Sequence, residues 1–287
     1  TNQNGDRNGL FRNHGAWFID VAPQMGADRG GRPLQYSYGG IRPCLADYDT
    51  DGDFDILVVN YGPTGLLRND NGSSFVDVAN ELGLAIDSRY DTGTWGDFDH
   101  DGQLDVYING TIGRDVTSRD YLFRREGPGF TEVTPNVMLE QDSDHGAHWV
   151  DFDGDGDLDL SLTGAGSDGM HHLLRNEMSA DRRARSLQVM VLDERGHATR
   201  AGAEIRIFAA GTSSLLGTGI MDTGSGYNSQ NVLPVHFGLA NTDPVDIEVT
   251  SLTKSGRITA RVPNVKPGDH VGQTIRVKVN SDGQIVR

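Results

Sequence analysis

Three stretches of the chain read almost as copies: Asp47-Tyr48-Asp49-Thr50-Asp51-Gly52-Asp53-Phe54-Asp55, Asp97-Phe98-Asp99-His100-Asp101-Gly102-Gln103-Leu104-Asp105 and Asp151-Phe152-Asp153-Gly154-Asp155-Gly156-Asp157-Leu158-Asp159. Their starts lie 50 and 54 residues apart, the spacing of a repeat architecture. Carboxylates at alternate positions of a tight loop can converge on one point, and a hard cation such as calcium takes about six to eight oxygens. Positions 1, 3, 5 and 9 supply the side chains. Position 7 is Asp53, Gln103 or Asp157, a variation in type that suits a ligand given through the backbone carbonyl. Glycine at position 6 permits the reversal that wraps the chain around an ion. An EF-hand would need glutamate at position 12, where Val58, Ile108 and Leu162 stand, so that reading fails. The ligand positions offer carboxylates and no nitrogen or sulfur, which favours calcium over magnesium or manganese, one ion per loop and about three in all.

After each loop comes a β-rich apolar run: Ile56–Asn60, Val106–Asn109 and Leu160–Thr163. The loops therefore connect strand to strand. Further on, a second phrase recurs: Leu66-Leu67-Arg68-Asn69 with Phe75-Val76-Asp77-Val78, Leu122-Phe123-Arg124 with Phe130-Thr131-Glu132-Val133, and Leu173-Leu174-Arg175-Asn176. It also opens the chain, as Leu10-Phe11-Arg12-Asn13 with Phe18-Ile19-Asp20-Val21. Four short strands in about 50 residues is the size of one propeller blade. The first 177 residues thus hold about three and a half blade-like repeats, an all-β domain.

These loops and phrases resemble the FG-GAP or VCBS repeats of integrin α-chain propellers and of the cartilage acidic protein family, over roughly residues 9 to 177. The resemblance implies calcium in the loops. Beyond residue 187, Ala201–Ile207, Gly224–Gln230, His236–Leu239 and Ser255–Arg257 resemble the ASPIC/UnbV domain that follows such repeats, although the tryptophan-proline pair often found before the Ser-Gly-Arg is absent. Without any family, residues 187–287 still alternate apolar and polar, as in Leu187–Leu192, Glu204–Phe208 and Thr274–Val279, and predict a small antiparallel β module. Residues 178–186, with Arg182, Arg183 and Arg185, read as a linker whose basic run could bind the acidic first domain or a partner anion, a solvated linker being the better reading.

The chain of 287 residues carries a net charge of −16, unevenly placed. Residues 1–180 hold 31 acidic and 12 basic side chains, whereas residues 181–287 hold 10 and 13. Such an acidic field repels nucleic acid and anionic lipid and attracts divalent cations. One cysteine, Cys44, excludes an intrachain disulfide and reads as a small buried hydrophobe. There is no apolar stretch of membrane-spanning length and no signal core in this chain, and sites of ordinary calcium affinity fill outside the cytosol, so an extracellular or periplasmic setting is expected.

For catalysis the candidates are His145, His148, His171 and His172, which flank the third loop and could meet at one end of a blade with Asp142 or Asp144. No nucleophile elbow, zinc-protease pair or phosphate loop occurs. The sequence favours a secreted calcium-stabilised binding or assembly module, with a protein or glycan partner. The alternative is a propeller enzyme of lyase, dehydratase or natural-product type. Incomplete repeats at both ends leave three readings: N-terminal strands completing the third unit within one chain, completing it in the next copy of an oligomer or filament, or a sequence that is a piece of a longer protein.

Overall fold

Each repeat folds as the strand-loop-strand pattern demands. In the computed structural model, which describes residues 1, 6–30, 39–111, 117–139, 143–164, 171–224 and 230–286, a short antiparallel hairpin comes first, β1 (Phe11–Asn13) with β2 (Phe18–Asp20). Most of the Gly224–Gln230 phrase, and Asp142, lie outside the described residues. One helical turn, α1 (Ala22–Met25), leads to the first full unit: β3 (Gly39–Ala46), β4 (Asp55–Pro63), β5 (Gly65–Asp70) and β6 (Ser74–Asp77). After α2 (Ala79–Leu82) the second unit repeats it as β7 (Asp87–Gly96), β8 (Asp105–Gly110), β9 (Tyr121–Glu126) and β10 (Gly129–Glu132). After α3 (Asn136–Leu139) the third has β11 (Ser143–Val150), β12 (Asp159–Gly164) and β13 (His172–Leu174). Neighbours pair antiparallel in chain order, as in a propeller blade. The far end of β4 also pairs with the start of β7, which joins units one and two into one curled sheet.

Apolar positions of adjacent units pack face to face. Leu57, Leu66, Leu84, Val106 and Phe123 fill the space between units one and two, and Tyr107, Leu122, Leu160 and Leu162 that between two and three. Each fully buried leucine contributes about 1.5–3 kcal/mol relative to exposure. The helical turns, which period-2 reading of the sequence does not reveal, set the spacing. Gly26 and Gly83 end them at φ 74° and 84°, and a β-carbon at either would sit 2.6 and 3.0 Å from the Phe75 and Phe130 carbonyl oxygens of the following unit. Close approach, as well as conformation, requires glycine there.

The hairpin is the outer half of a blade, and it stands beside unit one, where Ala22, Ala27, Val58 and Leu67 form a small core. It does not complete unit three. Among the described residues β13 is the outermost strand of a three-stranded sheet. The reason is geometric: the turn after β2 must pack on β6, as the turn after β6 packs on β10, which fixes the hairpin ahead of the first loop-bearing unit.

The C-terminal module is a two-sheet sandwich. Its strands are β14 (Ser186–Asp193), β15 (Glu204–Ala209), β16 (Leu215–Ile220), β17 (Val235–Gly238), β18 (Val245–Thr253), β19 (Gly256–Val265), β20 (Thr274–Val279) and β21 (Ile285–Val286). The sheets run β17-β14-β20-β21 and β16-β15-β18-β19, antiparallel except for the β14–β20 pair. Alternate residues Leu187, Val189 and Val191 meet Ile205, Ile207, Ile247 and Val249 in a core of its own.

Candidate metal centres

Each acidic loop is built by the same hydrogen bonds. The aspartate at position 1 accepts the backbone N–H groups of positions 5 and 6, at 3.0 and 3.0 Å for Asp47, 3.1 and 2.8 Å for Asp97, and 3.0 and 3.0 Å for Asp151. Position 9 accepts the N–H of position 2 with one oxygen: Asp55 from Tyr48, Asp105 from Phe98, Asp159 from Phe152. Its other oxygen accepts the N–H of Asn69 or Arg125 in the third strand of the blade, or of Asn176 just beyond that strand. Backbone curvature completes the design, since Thr50, His100 and Gly154 at position 4 and Gly52, Gly102 and Gly156 at position 6 all have positive φ. The position-6 requirement is legible in sequence; the one at position 4 is masked by the side chains at Thr50 and His100.

These scaffolds bring three carboxylates within 4.8 Å of one another in every loop: Asp47, Asp49 and Asp55; Asp97, Asp99 and Asp101; Asp151, Asp153 and Asp159. Of the other expected ligands, Asp51 and Asp155 at position 5 and Asp105 at position 9 lie outside these tightest groups. At position 7, Gln103 Nε2 donates to Asp101 Oδ2, and one oxygen of the buried Asp157 accepts the N–H of Met178. The Asp53 N–H donates to Asp51 Oδ1. These bonds engage position 7 in holding the loop.

The donor set fits a hard cation. Oδ1 of Asp49 and Oδ1 of Asp99 are buried without a hydrogen-bond partner, each at position 3 and beside two further carboxylates. Burial followed by hydrogen bonding and mutual repulsion shapes the acidities: desolvation pushes Asp55 and Asp97 up to about 7, Asp105 to about 8 and Asp157 to about 6. Asp47, Asp49, Asp99 and Asp159 are raised for the same leading reason. A group of oxygens that resists ionising together is stabilised by a positive centre among them.

The loops all face the C-terminal module, an arrangement no local pattern could disclose. Residues 179–182 are exposed, as in a solvated linker, yet the segment also meets the acidic first domain. Their turn, α4 (Ala180–Arg183), grips the loops: Arg183 Nη1 lies 2.5 Å from Asp155 Oδ2, Arg182 Nη1 donates to the Asp99 carbonyl at 2.9 Å, and His100 Nδ1 lies 2.9 Å from the Arg182 carbonyl. The module adds Arg206 to the Gly52 carbonyl at 2.8 Å and Ser186 to the Gly156 carbonyl at 2.8 Å. His100 stacks on His236, ring centres 5.1 Å apart. Between blades and module remains a cavity of about 210 Å³, lined among others by Asp47, His148, Trp149, Thr218, Asp222 and Phe237.

The four candidate histidines do not meet. His145, at φ 72°, places Nδ1 2.8 Å from Asp91, whose other oxygen accepts the Tyr61 hydroxyl at 2.9 Å. Sequence reading missed Asp91 because its partner lies 54 residues away; bulges in β7 and β11 re-aim both residues. His148 lies by the cavity, its basicity lowered by burial, while His171 is exposed and His172 half-buried near β13. Among the described residues no group of three metal-ligating side chains includes a histidine. Cys44 is buried, as expected, its Sγ 2.9 Å from the Gly93 carbonyl.

Residues 47–108 match the family model described as FG-GAP-like repeat. The chain is 33% identical over 261 residues to cartilage acidic protein 1 of Xenopus tropicalis and 31% identical over 292 residues to that of Homo sapiens, covering 87% and 93% of this chain. It spans about two fifths of the length of these relatives, 38% and 40%. Among the described residues no helix is long and apolar enough to cross a membrane.

Proposed function

We propose, for a chain that carries FG-GAP-like repeats and is related over most of its length to cartilage acidic protein 1, that it is an extracellular calcium-binding module serving adhesion or assembly. The observation that carries the reading is the thrice-repeated loop with converging carboxylates, two of them holding buried oxygens without partners. Asp47, Asp49 and Asp55, Asp97, Asp99 and Asp101, and Asp151, Asp153 and Asp159 would hold the ions, with the remaining acids of each loop nearby. Bound calcium would supply the charge that offsets carboxylate crowding; its role is structural. Support for a binding surface comes from the hairpin, where Phe11, Trp17 and Phe18 are 63%, 60% and 65% exposed, and from the edge of β13. A protein partner, including a second copy of the chain, suits such a surface better than a glycan. Isothermal titration of the chelator-stripped chain with calcium tests the reading. Saturable binding is expected, and no heat up to millimolar calcium would overturn it.

One observation favours a second reading, an acid-base site. The Tyr61–Asp91–His145 chain holds an imidazole against a buried carboxylate, as general bases are held. On that reading Asp91→Asn abolishes turnover of a substrate and leaves calcium binding intact; equal effects on both would remove it.

A further inference from the structure

The C-terminal module touches the first aspartate of every acidic loop, each time with a different residue. Thr218 of β16 is buried beside Asp47 on the wall of the shared cavity, its hydroxyl making no hydrogen bond. Gly238 of β17 lies so close to Asp97 that a β-carbon there would overlap the carboxylate. Gln188 of β14 donates from Nε2 to Asp151 Oδ2 at 2.6 Å. Position 1 is the residue whose two oxygens organise the loop by holding positions 5 and 6, so the module contacts each loop at its organising residue. The tips are covered as well. A β-carbon at Gly102 would sit 3.0 Å from the Ala240 nitrogen, and one at Gly156 would sit 2.8 Å from Val271. Arg206 and Ser186 take the carbonyls of Gly52 and Gly156.

We propose that the module is a positioning lid for the cation loops, with Thr218, Gly238 and Gln188 each setting the first aspartate of one loop, so that cation binding and module docking strengthen one another. This rests on the calcium reading above. The physical reason is burial. With the module seated, Asp47 and Asp97 are 2% and 3% exposed. Crowded carboxylates under a lid lose the water that would screen them, and a cation is the group that compensates them there. The cation therefore favours the seated lid. Linkage makes the effect reciprocal: whatever factor calcium adds to docking, docking adds to calcium affinity.

The test uses the full chain. Gln188→Ala with Thr218→Val removes the bond to Asp151 and the hydroxyl that stands beside Asp47, and alters no cation ligand. Calcium titration of this variant is expected to give an affinity about 5- to 10-fold weaker than the parent, at the low end of typical coupling. Small-angle scattering should show the parent becoming more extended on chelation, and the variant should need correspondingly more calcium to become compact. Arg206→Ala, which cuts the bond to Gly52 together with the ion pair to Glu204 inside the module, is the second variant and should move both readouts in the same direction. Calcium affinities within twofold of the parent in both variants, with the parent binding calcium normally, would overturn the lid while leaving the calcium reading intact. A parent that binds no calcium would overturn both.

Discussion

Replacing Asp49 by asparagine should have opposite consequences with and without calcium. Asp49 sits at position 3 of the first loop, and its Oδ1 is buried with no partner, so the substitution removes a charge and keeps the shape. It also spares the backbone clamps, which belong to positions 1 and 9. Without a cation the change relieves repulsion. At 4.8 Å, the widest separation in the group, and an effective dielectric constant of about 20, two full charges repel by about 3.5 kcal/mol, a figure that the raised acidities reduce by leaving part of the loop protonated. With calcium the sign reverses. A site with a dissociation constant of about 10⁻⁵ M contributes roughly 2.7 kcal/mol at about 1 mM ion, and losing its charged ligand forfeits most of that. For a domain of this size the loss corresponds to about 5–10 °C in Tm. The assay is differential scanning fluorimetry of parent and variant, each in chelator and in 1 mM calcium, about the extracellular level assumed for the site. The variant should melt at or above the parent in chelator and below it in calcium. Equal lowering in both would mean that Asp49 is structural in its own right, and the cation argument for that loop would fail.

In chelator, stability should fall as pH rises. Asp55, Asp97, Asp105 and Asp157 titrate near 7, 7, 8 and 6 when folded and near the ordinary 3.8 when unfolded, so the folded state binds more protons between. Their stabilising protonation is complete below about pH 4 and is lost through pH 6–8; melting curves across that window should slope down in chelator and flatten in calcium, and a rising slope in chelator would refute the assignment. Residues 186–286 carry a separate core and no acidic loop, so this fragment should fold alone and melt at the same temperature with or without chelator, as circular dichroism can check. Changing Phe11, Trp17 and Phe18 together to serine should leave Tm within about 2 °C, because these side chains are exposed, while reducing any self-association seen by sedimentation. A loss of fold in that variant would show instead that the hairpin is part of the domain core.

What could be read from sequence was whatever is local. A nine-residue loop announces itself because its acids, its glycine and its following strand all fall within one stretch; that the first aspartate, Asp47, Asp97 or Asp151, organises each loop by holding positions 5 and 6 is seen only in the structure. The blade order was legible for the same reason. The helical turns after β2, β6 and β10 were not, since four residues are too few to show a 3.6-residue period. Relations across long separations were closed to sequence reading altogether. The basic run of Arg182 and Arg183 could be read as solvated or as bound to the acidic first domain, but which carboxylates it meets could not be read; in space these are Asp99 and Asp155. Asp91 and His145 show the same limit.

Gly238 carries this point furthest. In sequence it belongs to a β17 strand and has no stated reason to be glycine, for its φ is not in the left-handed region and no turn is formed there. Its reason is a carboxylate 141 residues earlier in the chain, Asp97, which occupies the space a side chain would need. A strand glycine without a bulge or turn marks a close approach by something else. Here what approaches is the second acidic loop, so the room for a side chain at position 238 is set by the loop and not by its own sheet. Gly238→Ala should accordingly leave the isolated module's melting unchanged and still weaken its seating in the full chain. An alanine variant that seats normally would mean that Asp97 can withdraw from the module at no cost, and the close contact would then have no bearing on how the loop is held.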